Sequence, residues 1–238
     1  MSTKENTVPP ALLAEIAPRG VLRVGVNLSN FLLVGGENED GEPVGVSPGV
    51  GRAIARELGV PVEFVTFPGP GEAADAATED VWDIVNIAAE RERAKRIAFS
   101  PAYCEIQATC LLPPGSSVTA FGELDADGTR IAVKERSAYD LWLTENLRHA
   151  TLVRAPSHET SFERFVDEEL DAMAGLRPKL LEHREALPGS TLLEESFTAV
   201  QQSIGCRLDR PEAAAFLEDF VRRAVVPGGL VESLIAEH

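Results

Sequence analysis

Two short stretches carry side chains that could recognise a small molecule. Asn27, Asn30 and Phe31 follow the apolar run Val21–Leu28, and the cationic run Arg91, Arg93, Lys95 and Arg96 follows Trp82–Ala88. Two amides and an aromatic ring at the end of a strand can orient and cover a small polar ligand; the competing reading is turn chemistry for the asparagines and core packing for Phe31. The cationic run is interleaved with Glu90 and Glu92, and the chain has 38 acidic against 22 basic side chains, a formal charge of −16. Such a surface repels a phosphate backbone or an anionic membrane, so nucleic acid is not an expected partner.

Other chemistries leave no pattern. His149, His158, His183 and His238 form no HxxxH or HExxH spacing, and Cys104, Cys110 and Cys206 have no metal-type spacing, so no metal is expected. The cysteines are read as free thiols in a reducing compartment. There is no GxSxG elbow and no phosphate loop, and Gly49-Val50-Gly51 lies inside a helical pattern, so no cofactor is expected.

The elements that must position these residues are legible from periodicity. A mobile head precedes a short amphipathic helix at Ala11–Ile16, and Val21–Leu28 reads as a buried strand. Ser47-Pro48 reads as a helix cap followed by proline at the first helical position, with Val50, Ile54 and Leu58 on one face and Gly59 closing the far end. Val60–Phe67 is the next strand, Gly71–Glu79 a short helix, and Trp82–Ala88 a third strand. This βαβ order predicts a parallel sheet whose ligands sit at the carboxyl ends of the strands. A second α/β run follows: strand Thr129–Glu135, helix Ser137–Leu147, strand Ala150–Ala155, helix Ser161–Glu169 and strand Leu170–Gly175. Between the runs, Cys104–Ser117 reads as a strand ending in a Pro-Gly turn, a crossover between lobes. The tail from Pro211 to Ile235 is helical, with Phe216, Phe220 and Val221 on one face and a break at Pro227-Gly228-Gly229.

With these elements in order, the sequence resembles the type II periplasmic solute-binding proteins, in particular solute-binding protein family 3, the branch that binds amino acids and related small polar molecules. The stretches that carry the resemblance are Gly20–Val26, Glu39–Val65, Trp82–Tyr103, Ile131–Leu143 and Arg210–Leu234. It implies a two-lobed α/β fold with the second lobe inserted into the first: residues 1–110 and 203–238 in lobe one, 111–202 in lobe two, with a return crossover near Gln201–Cys206. It also implies that the lobes close on a ligand by hinge motion. Arg93 matches the family arginine that holds a ligand carboxylate, which its planar fork can grip bidentately; the alternative is a solvated helix face. Ser137 matches a hydroxyl position at a helix N-terminus in lobe two, where an anion is favoured, and an ordinary cap is the competing explanation. Asn86 and Ala88 stand where the family has a Ser/Thr-rich segment. Tyr103 and Gln202 fall in the two crossovers. The carboxylate that holds a ligand ammonium in relatives is replaced by Gly175-Leu176-Arg177, so Arg177 and Arg136 point to a carboxylate or dicarboxylate ligand without an obligatory ammonium. Either arginine could instead pair with a surface acid.

Residues 1–20 contain no apolar run of the roughly 7–15 residues that a signal-peptide core needs, and no stretch reaches a membrane span. The expectation is a cytoplasmic protein without membrane insertion, the alternative being a periplasmic or extracellular one whose signal peptide has been removed. A transporter partner, implied by the resemblance to ABC transporter receptors, is left open on this reading. The expected function is non-covalent capture of a small anionic or amino-acid-like metabolite in an interlobe cleft. The alternative is a cytoplasmic lyase resembling cyclohexadienyl dehydratase, for which Glu90 or Glu105 would supply the cleft acid.

Overall fold

The computed structural model describes residues 8–238; the head expected to be mobile lies, over residues 1–7, outside the described residues. Two compact units make up the chain. The first ends at Cys104 and resumes over Gln202–His238, and the second is Glu105–Gln201.

The first unit opens with α1 (Pro10–Ile16) and the fully buried strand β1 (Leu22–Asn27). A two-residue hairpin, β2 (Gly36–Glu37) with β3 (Pro43–Val44), leads to α2 (Val46–Leu58). The helix begins one residue before the expected Ser47 cap. Gly45 takes the cap position with φ 128°, a conformation that costs glycine little, and Ser47 is carried into the first turn. Gly59 ends the helix in the left-handed conformation, as its position in the sequence indicates. The unit continues with β4 (Val62–Phe67), α3 (Pro70–Asp75), β5 (Ile84–Ala88) and β6 (Ile97–Phe99). β1 lies between β4 and β5, parallel to both, with Val26 level with Asn86. Against this sheet α3 and the 3₁₀ turn that follows it (Ala76–Thr78) pack an alanine face, Ala73, Ala74, Ala76 and Ala77, around Trp82, whose indole N–H donates to the Ala73 carbonyl at 3.0 Å.

The second unit takes up β7 (Cys104–Leu112), followed by β8 (Arg130–Lys134), α4 (Ala138–Asn146), β9 (Thr151–Ala155), α5 (His158–Asp167), β10 (Ala172–Leu176), α6 (Arg177–Ala186) and β11 (Thr191–Leu192). β8 is flanked by β9 and β10, parallel to both, and β7 pairs antiparallel with β10 and β11. Its core gathers Leu111, Ala132, Phe165, Leu170, Met173 and Leu180. α5 starts three residues before the expected Ser161, because the Ser157 hydroxyl accepts the Thr160 N–H at 3.0 Å and caps it there.

The chain then returns along β12 (Thr198–Arg207) into α7 (Pro211–Ala224) and α8 (Leu230–Glu237), separated at the predicted Pro-Gly break. Over Gln202–Cys206, β12 runs antiparallel to β5. Leu217, Phe220 and Val221 of α7 are buried, whereas Phe216, expected on that face, is only partly so. At the amino end of the sheet the fully buried Asp83 carboxylate accepts from Arg23 at 2.8 Å and from Arg210 at 3.1 Å. No helix among the described residues is long and apolar enough to cross a membrane.

Candidate functional site

In the first unit the carboxyl ends of β1 and β5 collect most of the residues singled out from the sequence. Arg93 sits in a short 3₁₀ turn after β5 and is 5% exposed, while its neighbours Arg91, Glu92, Lys95 and Arg96 are all exposed. The burial separates it from a solvated helix face. Its Nη1 donates to the Ala88 carbonyl at 2.9 Å, which fixes the guanidinium at the end of the strand. Ala88 is level with Gln202 on β12, and the Gln202 carbonyl accepts the Tyr103 N–H at 2.8 Å. Arg93, Ala88, Gln202 and Tyr103 are therefore neighbours.

A polar group continues from this point. Tyr103 is buried, which raises its pKa and keeps it a neutral phenol; the adjacent Ser47 hydroxyl offsets part of that rise. The Ser47 carbonyl accepts the Asn86 Nδ2–H at 2.8 Å, and the Ser47 N–H donates to Leu33 O at 2.9 Å. Leu33 in turn donates to Asn30 O at 3.0 Å. Asn30, Ser47 and Asn86 are thus linked in one buried stretch; the Ser47 hydroxyl has the Tyr103 phenol beside it, whereas Asn30 Oδ1 and Asn86 Oδ1 complete no hydrogen bond within the protein. Buried polar groups are normally paired, so these two amide oxygens stand out. Asn27 is differently employed: its Oδ1 accepts from Ser29 N at 3.1 Å and from Ser29 Oγ at 2.8 Å, the turn chemistry weighed against ligand contact. Phe31 is half-buried in the turn that follows. Ser47 was read in the sequence as a helix cap; with Gly45 in that position its side chain is buried in the first turn beside Tyr103 instead.

The second unit places its candidates separately. Ser137 caps α4, its Oγ accepting the Asp140 N–H at 3.1 Å. The Asp140 carboxylate folds back to the same helix end, accepting the Arg136 N–H at 2.7 Å and the Arg154 Nε–H at 3.0 Å. An acid of the chain itself thus answers the positive end of the α4 dipole. Arg136 is exposed and adopts φ 58°. Arg177 donates to Gln107 Oε1 at 3.0 Å and to the Glu194 carbonyl at 2.7 Å, tying the start of α6 to β7 and to the segment before β12. Sequence reasoning passed over Lys134, a lysine at the end of β8 that is only 6% exposed. Nearby, Tyr139 Oη lies 3.2 Å from His158 Nδ1; burial, then the Lys134 charge, pushes His158 down to about 4. Glu105 on β7 is exposed and Glu90 partly buried, so Glu105 lacks the apolar enclosure that keeps a carboxyl protonated.

The description "bacterial extracellular solute-binding proteins, family 3" belongs to a family whose sequence model matches residues 22–222. Among solved structures, the ancestral amino acid-binding protein AncCDT-1, a precursor of cyclohexadienyl dehydratase, is 23% identical at a TM-score of 0.75, covering 94% of this chain and 98% of its own. Holo ArgBP from T. maritima is 20% identical at a TM-score of 0.70, with 92% of this chain and 97% of that one covered. The substrate binding protein of an amino acid ABC transporter is 16% identical at 0.73, with coverage of 92% and 98%. These likenesses establish an α/β fold of the two-lobed, type II periplasmic-binding-protein kind, the second unit inserted in the sequence of the first. No match was found among curated proteins.

Proposed function

Because this chain belongs to the bacterial extracellular solute-binding proteins, family 3, and so is a domain that binds a small solute, we propose that its solute is a small carboxylate or amino-acid-like anion held by Arg93. The observation that carries the proposal is the burial of Arg93 at the carboxyl end of β5, beside Ala88, Gln202 and Tyr103. A guanidinium has the planar geometry that grips a carboxylate through two parallel hydrogen bonds, and the bond from Arg93 to the Ala88 carbonyl anchors this one at the end of the strand. The carboxyl ends of parallel strands are where open α/β sheets bind their ligands. Capture proceeds by hinge closure and without covalent chemistry.

A thermal-shift screen over carboxylates and amino acids tests this. A ligand at about 100 times its dissociation constant adds about 2.7 kcal/mol to the stability of the folded state, a readable shift. Arg93→Ala is expected to abolish every carboxylate-dependent shift while unfolding as a single cooperative protein. A variant that keeps the wild-type response would place the anion elsewhere. Mass spectrometry of each hit after incubation separates capture from turnover: recovery of the ligand unchanged supports binding, and a dehydrated or decarboxylated product would replace it with a lyase.

A further inference from the structure

We propose that Asn30 Oδ1 and Asn86 Oδ1, linked through Ser47, form a neutral acceptor pocket that selects carboxylates bearing an uncharged hydrogen-bond donor, a hydroxyl or a carboxamide. The proposal rests on the reading of Arg93 as the carboxylate contact and specifies the rest of the ligand.

Asn30, Ser47 and Asn86 are 8%, 3% and 3% exposed, and neither amide oxygen completes a hydrogen bond within the protein. Their adjacency is fixed by main-chain and amide bonds: Leu33 N–H to Asn30 O at 3.0 Å, Ser47 N–H to Leu33 O at 2.9 Å, and Asn86 Nδ2–H to Ser47 O at 2.8 Å. That last bond also sets the orientation of Asn86, since the nitrogen is committed to the Ser47 carbonyl and the oxygen is left as an acceptor. A desolvated acceptor with no donor is costly, so the pocket gains from a ligand that brings one. The charge of that donor follows from the company it would keep. Asn30, Ser47, Asn86 and the phenol Tyr103 are all neutral, and a fully buried ammonium without a carboxylate partner would pay a far larger desolvation cost than a hydroxyl or an amide. A buried water could satisfy the same oxygens, and the experiment distinguishes the two.

Dissociation constants are measured by calorimetry on the whole protein for matched pairs: succinate against malate, glutarate against 2-hydroxyglutarate, and succinate against succinamate. The donor-bearing member of at least one pair is expected to bind about tenfold tighter or more, because a site built around hydrogen bonds rejects an analogue that leaves them unmade. Malate is expected to bind tighter than aspartate. In Asn30→Ala and, separately, Asn86→Ala, the gap within the pair should narrow. Asn30→Ala keeps every main-chain bond described above, so it serves if Asn86→Ala fails to fold. Equal affinities within every pair, or gaps untouched by either variant, would mean that the oxygens hold water only, leaving the Arg93 reading intact and overturning this one. A preference for aspartate over malate overturns the neutrality of the pocket. Failure of all carboxylates to bind would remove the Arg93 contact and this pocket's role together.

Discussion

At the scale of single residues, burial decides which of several similar side chains does something distinctive. Arg93 was picked out of a run of four cations by its match to a family position, and in the folded chain it is the buried one among them. Asn86 was singled out differently, as a departure from the Ser/Thr-rich segment that relatives carry there. The remaining candidates were harder to read because their types fit two roles: Asn27 spends its oxygen on a turn and Ser137 its hydroxyl on a cap. His158 gave no signal in the sequence, since burial and the neighbouring Lys134 charge come from tertiary packing. It has a measurable consequence. With its pKa held near 4 against an unfolded value near 6.5, the unfolded chain binds a proton that the folded chain refuses, so stability is full above about pH 6.5 and is lost as pH falls toward 4. Urea denaturation across that window should show the fall, and His158→Gln should flatten it; an unchanged slope in the variant would assign the acid sensitivity to other groups.

At the scale of elements, the sequence located most helices and strands but missed where they turn. Periodicity and glycine stops fix the body and the far end of α2, and the start moves because the Gly45 backbone, not a serine side chain, supplies the reversal. α6 escaped notice for another reason. Among its residues only Leu180 and His183 are buried, too narrow a stripe to stand out from its charged neighbours. The role of Gly45 is open to direct test. Its φ of 128° and ψ of −173° belong to a region that only glycine occupies readily, and an added Cβ would meet the Leu33 carbonyl at 2.6 Å. Gly45→Ala should therefore cost at least about 1–3 kcal/mol in denaturant titration. It should also weaken ligand binding, since the same turn seats Ser47. A variant as stable as wild type would show that the reversal can be made another way.

At the scale of the whole molecule, the composition of two α/β runs was enough to foresee two units, but not which strands each would share at its margins. The second unit is continuous in sequence, whereas the first is assembled from both ends of the chain. Its sheet needs β12 against β5, and the buried Asp83 carboxylate draws one of its two arginines, Arg210, from the returning segment. A chain ended after Gln201 should accordingly leave the second unit resistant to limited proteolysis while the first is digested; equal protection of both would mean that the returning segment is dispensable. The same arrangement sets an order of events at the ribosome. The second unit can be finished before the returning segment is made, but the unit that carries Arg93 waits for that segment, holding Asp83 short of its second arginine until Arg210 emerges. An mRNA cut short before that segment would yield a product with one sound half and the other left without the strand that completes its sheet.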